Sequence, residues 1–306
     1  MWLVVVVQIA VPLLMIGVIT IIRQPSRMRW LVTVVAFGMV TSYLLISSRW
    51  DVSSLYLRAL IPVLFIAAVI WSYRRIRVPE TAPGKLQAVV AWTTSLGLIV
   101  LMSGFLWFSL RGYRTPDGAV DLASPLRGTH VVLNGGVSPF TNGHFRVRPQ
   151  SYAVDILGVN AFGARASLLG SSRALESYVI YGEPVFSPCD GKISVAVDGR
   201  PDQTPPTADR EHLAGNHVLI ECGEFEVLVA HLRKHSVRVT VGDVVAAGDP
   251  LGEVGNSGNT SEPHLHIHAE QGGEPGVILD GSSVPITIDG RFLVRNSVFR
   301  SGGPGH

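Results

Sequence analysis

Charged residues are scarce in this sequence. Only 16% of its 306 residues are charged, the formal net charge is +2, and no block rich in lysine or arginine follows residue 110. Nucleic-acid-binding proteins usually carry such a block, because the neutralisation of phosphates supplies much of their affinity. The composition therefore predicts no nucleic-acid partner.

Histidine and cysteine are absent from the first 110 residues, which instead contain four long apolar runs almost without charge. Each run is long enough to cross a hydrocarbon layer of about 30 Å as a helix. The runs lack the polar stripe, repeating at the helical period, that buried helices of soluble proteins normally show. We therefore predict a four-helix transmembrane anchor whose partner is the lipid bilayer. The helices are expected at Met1–Ile22, Trp30–Ser48, Leu55–Tyr73 and Leu86–Leu110.

The distribution of basic residues predicts the orientation of this anchor. No basic region precedes the first run and no small-residue cleavage pattern follows it, so we expect this helix to stay attached. Basic residues collect between runs one and two and between runs three and four, and such loops usually face the cytoplasm. The chain after residue 110 is thereby predicted to be extracytoplasmic. The basic residues of the two loops are Arg23, Arg27, Arg29, Arg74, Arg75, Arg77 and Lys85.

The C-terminal part has the pattern of an antiparallel β domain. A stretch at 111–130, rich in Gly, Pro, Asp and Arg, is predicted to be a linker, and the domain is expected at 131–300, before a disordered tail at 301–306. Short apolar or alternating runs such as KISVAV, HVLIEC and EFEVLVAHL are bounded by turn residues and predict strands. ECGEFE predicts a tight hairpin, and the polar stretch 198–216 predicts a long loop that could line a site. Residues 161–175 predict either a short helix or an irregular excursion.

Two cysteines, Cys189 and Cys222, both lie in the part predicted to be exported. An oxidising compartment permits a disulfide there. Pairing residues near Ile193 with those near Val218 would place the cysteines opposite each other on neighbouring strands. Two separate small buried thiols fit the pattern equally well, so the sequence leaves both interpretations open.

Three histidines alternate in the segment EPHLHIHAE. On a strand, His264, His266 and His268 share one face while Leu265 and Ile267 point to the other. A single strand histidine is usually structural, but imidazoles at this spacing can bind one metal ion or divide between ligation and catalysis. We therefore predict a metal or catalytic site at this strand.

Two further residues suit such a site. Asp155 ends the apolar alternation of QSYAVDI, and a buried carboxylate is costly unless a partner binds it, although a strand-end aspartate is also common. His231 ends the apolar run EVLVAHL, where it suits a general base or an oxyanion donor, the alternative being a hydrogen-bonded core histidine.

The segment AHLRKHSVRVTVGDVVAAGDPLGEVGNSGNTSEPHLHIH, together with SPCDGKI and GNHVLI upstream, resembles the core of the lysostaphin and LytM-like zinc endopeptidases, over about residues 134–270. The resemblance implies a mainly antiparallel β domain of the LytM type, with its duplicated hybrid motif, and a Zn²⁺ cofactor. It also implies that His266 binds zinc, and that His264 and His231 assist catalysis. Peptides of bacterial peptidoglycan are the implied substrate.

One departure from the family pattern concerns the first zinc ligand. The common motif is His-x-x-x-Asp, but Ser151 stands four residues before Asp155. The sequence is similar to a branch with an Asn-x-His segment, here Asn142 to His144, shortly before Gln-x-Tyr-Ala-x-Asp. The resemblance therefore implies His144 as the replacement ligand. The residues between His144 and Asp155 are numerous enough for a hairpin that could bring both to the same metal.

These expectations combine into a multi-pass protein of the bacterial cytoplasmic membrane with an extracytoplasmic zinc endopeptidase domain that hydrolyses peptidoglycan. The alternative is a catalytically inactive LytM-like module that binds the wall or activates another hydrolase. Ser151 favours the alternative, whereas His231, His264 and His266 favour the enzyme. The sequence predicts no oligomeric state.

Overall fold

The computed structural model describes residues 2–22, 24, 26–76, 84–167 and 171–302. It divides into two compact units, Met1–Leu110 and Arg111–His306. Arg23 and Arg77, two of the basic residues used to predict orientation, lie outside the described residues.

The first unit consists of four long apolar helices, as predicted. They are α1 (Trp2–Ile21), α2 (Arg27–Ser47), α3 (Leu55–Tyr73) and α4 (Lys85–Arg111). Each contains a stretch long and apolar enough to cross a membrane, with mean hydropathy between 1.9 and 2.7. At most 22% of each stretch is buried within the unit, so most of the apolar surface faces outward, as lipid-facing helices require.

Local polar contacts define the ends and the packing of these helices. The Ser26 side chain accepts a hydrogen bond from the backbone of α2, and the Ser54 side chain does the same for α3. Between helices, the Ser47 and Ser109 hydroxyls are hydrogen-bonded at 3.0 Å, and the Trp30 indole donates to Ser72. Small hydroxyl residues permit such close approach where apolar burial against lipid supplies little driving force.

The second unit is built from short strands, most of them in one antiparallel sheet, as predicted. The strands are β1 (Val120–Leu122), β2 (Gly128–Asn134), β3 (Val154–Gly158), β4 (Pro184–Phe186), β5 (Gly191–Val197), β6 (Asn216–Cys222), β7 (Phe225–Leu232), β8 (Val244–Val245), β9 (Pro250–Glu253), β10 (Leu265–Gln271), β11 (Ser282–Val284), β12 (Ile286–Ile288) and β13 (Val298–Ser301). The main sheet has nine strands in the order β13-β2-β3-β10-β7-β6-β5-β8, with β11 also paired to β10. Two short sheets, β1 with β12 and β4 with β9, complete the unit.

The central strands bury both of their faces. Val227 and Val229 of β7 and Ile267 of β10 belong to the main core, while Leu228 and Ala230 point to the opposite face and pack in a second, smaller cluster. Each fully buried aliphatic side chain stabilises the fold by about 1.5–3 kcal/mol. The second face carries the polar site described below, because alternate residues of a strand point to opposite faces.

The predicted linker is partly wrong. Within 111–130, β1 pairs with β12, β2 begins at Gly128, and Leu122 and Leu126 are buried in the main core. This stretch therefore belongs to the β unit, because its few apolar residues find partners on strands distant in sequence. In the predicted tail, Ser301 ends β13, and residues 303–306 lie outside the described residues.

Three loop predictions have clear outcomes. The ECGEFE hairpin is confirmed, with Gly223 at φ 78° in the turn between β6 and β7. The long loop 198–216 joins β5 to β6. The described residues of 161–175 form turns rather than a helix, which is the irregular alternative.

Cys189 and Cys222 form a disulfide, with their Cα atoms 6.1 Å apart. The predicted strand register was nevertheless wrong, because Ile193 pairs with Ile220 and Val218 pairs with Ala196 across a bulge. The disulfide forms despite this shift because Cys189 lies before β5 begins, where the chain is free to approach the end of β6.

Replacing both cysteines by alanine is expected to lower the free energy of unfolding of the β unit by about 3–4 kcal/mol, because the bond closes a loop with a sequence separation of 33 residues. Pulse proteolysis of the full chain in urea measures this change. A reductant should shift the midpoint of the wild type to that of the variant and leave the variant unchanged. An unshifted variant would contradict a stabilising disulfide.

Candidate metal centre

His266 and Asp155 face each other on neighbouring strands. β10 pairs with β3 so that His266 lies opposite Asp155. Their chain neighbours Leu265, Ile267 and Ile156 are buried in the main core, so both polar side chains project from the other face of the sheet. The Nδ1 of His266 donates to the Oδ1 of Asp155 at 2.8 Å.

His144 reaches the same carboxylate from the loop between β2 and β3. Its Nε2 donates to the Oδ2 of Asp155 at 2.9 Å. Asn142, 1% exposed, shapes this loop: its amide donates to the carbonyls of Gly136, Ser151 and Ala153, and its Oδ1 accepts from the His144 backbone. The expected hairpin is wrong, since a short 3-10 turn at Arg148–Gln150 connects the two residues instead.

The donor set of His144, Asp155 and His266 suits zinc. One potential ligand atom from each residue lies within 4.8 Å of the others. Nitrogen and oxygen ligands of tetrahedral zinc are about 3.3–3.6 Å apart, so an ion needs only small shifts of these side chains. Two imidazoles and one carboxylate leave a fourth position open, which is the arrangement of catalytic zinc sites.

His231 lies beside the three candidate ligands, at the end of β7. Its Nδ1 donates to the Ser257 carbonyl at 2.8 Å, which turns its Nε2 toward the site. Its ring centroid is 4.9 Å from that of His264 and 5.7 Å from that of His266. His231 has φ 65°, a strained value for a residue with a side chain, and such strain tends to persist at functional sites.

A glycine supports the carbonyl that orients His231. Gly215 has φ 62°, and a Cβ at this position would collide with Ser257. The absence of a side chain therefore lets the loop before β6 pack directly against the Ser257 backbone.

His264 is held in a similar way. Its Nδ1 donates to the Glu262 carbonyl at 2.9 Å, and the Thr260 hydroxyl lies 3.1 Å away. Its Nε2 is 3.7 Å from the Oδ1 of Asp155. Both His231 and His264 thus direct one ring nitrogen into the site and anchor the other on the backbone.

The charges in the site favour a bound cation. Burial raises the pKa of Asp155, but the charges of His144 and His264 and hydrogen bonds from His144 and His266 outweigh this effect and hold that pKa well below its usual range. Burial lowers the pKa of His266 to about 3, although Asp155 opposes the shift. An ionised carboxylate and a neutral imidazole are the forms that bind a divalent ion.

The pKa values of His144 and His231 shift in opposite directions. Burial lowers the pKa of His144, but the charge and hydrogen bond of Asp155 more than compensate, so that its pKa is raised. Burial, reinforced by His264 and His266, holds the pKa of His231 well below its usual range. His231 is consequently held in its neutral form.

Sequence reasoning missed the residues that support the ligands. The Asn134 amide donates to the Oδ2 of Asp155 at 2.7 Å, and Arg295 donates to the Oδ1 of Asn134. His268 contacts His266, and its place on the shared face of the strand was the available signal. Asn134 gave no such signal, because only sheet pairing brings the end of β2 opposite Asp155.

A small cleft of about 80 Å³ opens beside the ligands. Leu213 and Ala214 of the loop 198–216 line it, so this loop contributes to the site as the sequence suggested. The other lining residues include Leu228, Ala230 and Leu279, which make much of the wall apolar.

Comparison with known proteins finds a family model that matches part of the second unit. Residues 172–276 match the family model described as Peptidase family M23. The match includes His231, His264 and His266, while His144 and Asp155 precede it. No curated protein is significantly similar to the chain.

Several solved structures are similar. A mutant of the catalytic domain of the prophage-encoded M23 protein EnpA from Enterococcus faecalis is 20% identical, with 56% of this chain and 95% of that chain covered and a TM-score of 0.34. Lysostaphin from Staphylococcus simulans is 22% identical, with 44% and 42% covered and a TM-score of 0.28. A zinc containing peptidase from Vibrio cholerae is 19% identical, with 51% and 37% covered and a TM-score of 0.28.

This chain therefore spans less than half the length of the last two proteins. The match to the family model lies wholly within the second unit and agrees with the resemblance found in the sequence. Within the β unit, residues 172–276 are similar to Peptidase family M23, and this similarity is what the comparisons show of the family of this chain.

Proposed function

We propose that this protein is a membrane-anchored, zinc-dependent endopeptidase that hydrolyses peptide bonds in bacterial peptidoglycan. The observation that carries the proposal is the convergence of His144, Asp155 and His266 on one point, with the free nitrogens of His231 and His264 beside it. The family of the β unit supports a peptidase acting on the cell wall.

His144, Asp155 and His266 would hold the metal. Bound zinc would make a coordinated water more acidic and polarise the scissile carbonyl. Asn134 holds Asp155 by a hydrogen bond of 2.7 Å, and Asn142 fixes the loop of His144. The ligand positions are therefore set by neighbouring hydrogen bonds before any metal binds.

His231 and His264 would act as general base and general acid. Each has its Nδ1 proton fixed on a backbone carbonyl, so its Nε2 is available to accept a proton from the attacking water. Once protonated, the same nitrogen can donate to the oxyanion of the tetrahedral intermediate and then to the departing amine.

The cleft beside the candidate ligands is small and is lined partly by short apolar side chains. Its volume is about 80 Å³, and Leu213, Ala214 and Ala230 restrict its width. The assignment of peptidoglycan as the substrate rests on the family resemblance of the sequence.

The membrane arrangement is also part of the proposal. The basic residues flanking the helices, including Arg27, Arg29, Arg74 and Arg75, would face the cytoplasm. The β unit would then lie outside the cytoplasmic membrane, where its substrate is found. The disulfide between Cys189 and Cys222 agrees with an oxidising compartment.

The double substitution His144→Ala with His266→Ala is expected to abolish zinc binding, because it removes two of three ligands. Metal analysis of the purified full chain, expected to contain one zinc in the wild type, measures this. Ser151→Ala is the matched control and should retain its zinc. Stoichiometric zinc in the double variant would exclude this ligand set.

Full-length wild-type protein in detergent should release soluble fragments from peptidoglycan, and a chelator should stop the release. His231→Ala should retain zinc but lose about 10²- to 10⁴-fold in rate, because a general base is removed. His212→Ala, at a half-exposed histidine outside the site, serves as control. A wild type that is inactive whether or not it holds zinc would instead support a wall-binding or regulatory module.

A further inference from the structure

A buried polar chain continues from the candidate ligand His266 along β10. His266, His268 and Glu270 alternate on the strand, so all three project from the face that carries the site. Their exposed fractions are 3%, 0% and 2%. A carboxylate and an imidazole this far from water are costly unless their neighbours satisfy them.

The hydrogen bonds among His266, His268 and Glu270 depend on which ring nitrogens carry protons. His266 Nε2 and His268 Nδ1 are 2.9 Å apart, a hydrogen bond that either ring can donate. His268 Nε2 lies 3.6 Å from Glu270 Oε1 and, within the described part of the chain, has no hydrogen-bond partner. The position of the proton between the two rings therefore decides whether His268 faces Glu270 with an N–H group or with a lone pair.

Only one of the two arrangements frees His266 to bind a metal. When Nδ1 of His266 carries the proton and donates to Asp155, its Nε2 must accept from His268, and His268 then directs a lone pair at the Glu270 carboxylate. When Nδ1 of His266 is unprotonated, its Nε2–H donates to His268 and the Nε2–H of His268 points at Glu270. The negative charge of Glu270 favours the second arrangement.

Glu270 has a second set of contacts, at the wall of the cleft. Its Oε1 accepts from the Leu279 backbone at 3.0 Å and its Oε2 from Gly281 at 2.9 Å. Leu279 lines the cleft and has φ 62°, an unfavourable conformation that these hydrogen bonds help to maintain. One carboxylate thus contacts both the chain of histidines and the segment bordering the substrate.

We propose that Glu270 is a positioning residue that acts through His268 to hold His266 with its Nδ1 free for the metal, while holding Leu279 in the cleft wall. The inference rests on the proposed function. A change at His268 should affect only the orientation of His266. A change at Glu270 should affect both His266 and the position of Leu279, so an experiment can distinguish the two residues.

Glu270→Gln is the most informative substitution. The glutamine has nearly the same shape, but its amide can donate to the lone pair of His268 Nε2 and so stabilise the arrangement in which His266 cannot bind metal. One of the two backbone N–H groups also loses its acceptor. His268→Leu removes the connection to His266 and leaves the contacts between Glu270 and the 279–281 segment in place.

Glu226→Gln is the matched control. Glu226 pairs with Glu270 across β7 and β10, and its Oε1 accepts from the backbone of Gly276, three residues before Leu279. It contacts neither His268 nor Leu279 in the hydrogen bonds described. The control therefore removes an equal charge from the neighbouring strand position without changing the chain to His266.

The test measures zinc affinity by competition with a chelator, the visible spectrum of the Co²⁺-substituted full chain, and kcat and KM on soluble peptidoglycan peptides. Glu270→Gln and His268→Leu are expected to bind zinc about 10- to 100-fold more weakly and to alter the Co²⁺ spectrum. KM should rise for Glu270→Gln only. Glu226→Gln should match the wild type in zinc affinity and spectrum.

The outcomes distinguish this inference from the proposed function. Suppose that the wild type holds zinc and that Glu270→Gln and His268→Leu both have the same zinc affinity and spectrum as the wild type. This result would overturn the positioning role of Glu270 but would not contradict the peptidase function. Equal weakening in Glu226→Gln would also overturn it, because the effect would then be a general loss of stability. A zinc-binding but inactive wild type would overturn the peptidase while the zinc measurements still decide the role of Glu270.

Discussion

The ionised carboxylate of Asp155 is the constraint on which the rest of the site depends. It is 2% exposed, and hydrogen bonds from His144, His266 and Asn134 compensate for its removal from water. A charge buried in this way is stable only while its partners stay in place. Three features place these partners around the Asp155 carboxylate. They are the loop shaped by Asn142, the pairing of β3 with β10 and the end of β2.

One face of the central strands packs in the main core, and the other face carries the candidate site. Val227, Val229 and Ile267 fill the main core, while the alternate positions of the same strands carry histidines, a glutamate and the small apolar wall of the cleft. The second face is itself largely covered, by loops that contribute Ala214 and Ile278. This cover makes the hydrogen bonds around the ligands stronger, because the surrounding dielectric is low.

In the proposed site, one histidine comes from a position in the sequence that differs from the usual motif. Ser151 stands where the usual motif has histidine, yet a side chain of the same type comes from His144 in the preceding loop. The loop can provide it because Asn142 bonds to three carbonyls and the His144 backbone at once. The proposed ligand set therefore requires an imidazole nitrogen beside Asp155, and the loop supplies one at a different sequence spacing.

The sequence by itself determined the four long helices, the antiparallel β architecture and the shared face of His264, His266 and His268, because these follow from apolar length and from the alternation of residues along a strand. Only the tertiary structure decided the strand register at Ile193, the inclusion of 120–130 in the β unit and the roles of Asn134 and Glu270. Each of these depends on contacts between segments far apart in the chain. Local periodicity carries no information about such contacts, because it specifies which face a side chain occupies but not which strand lies beside it.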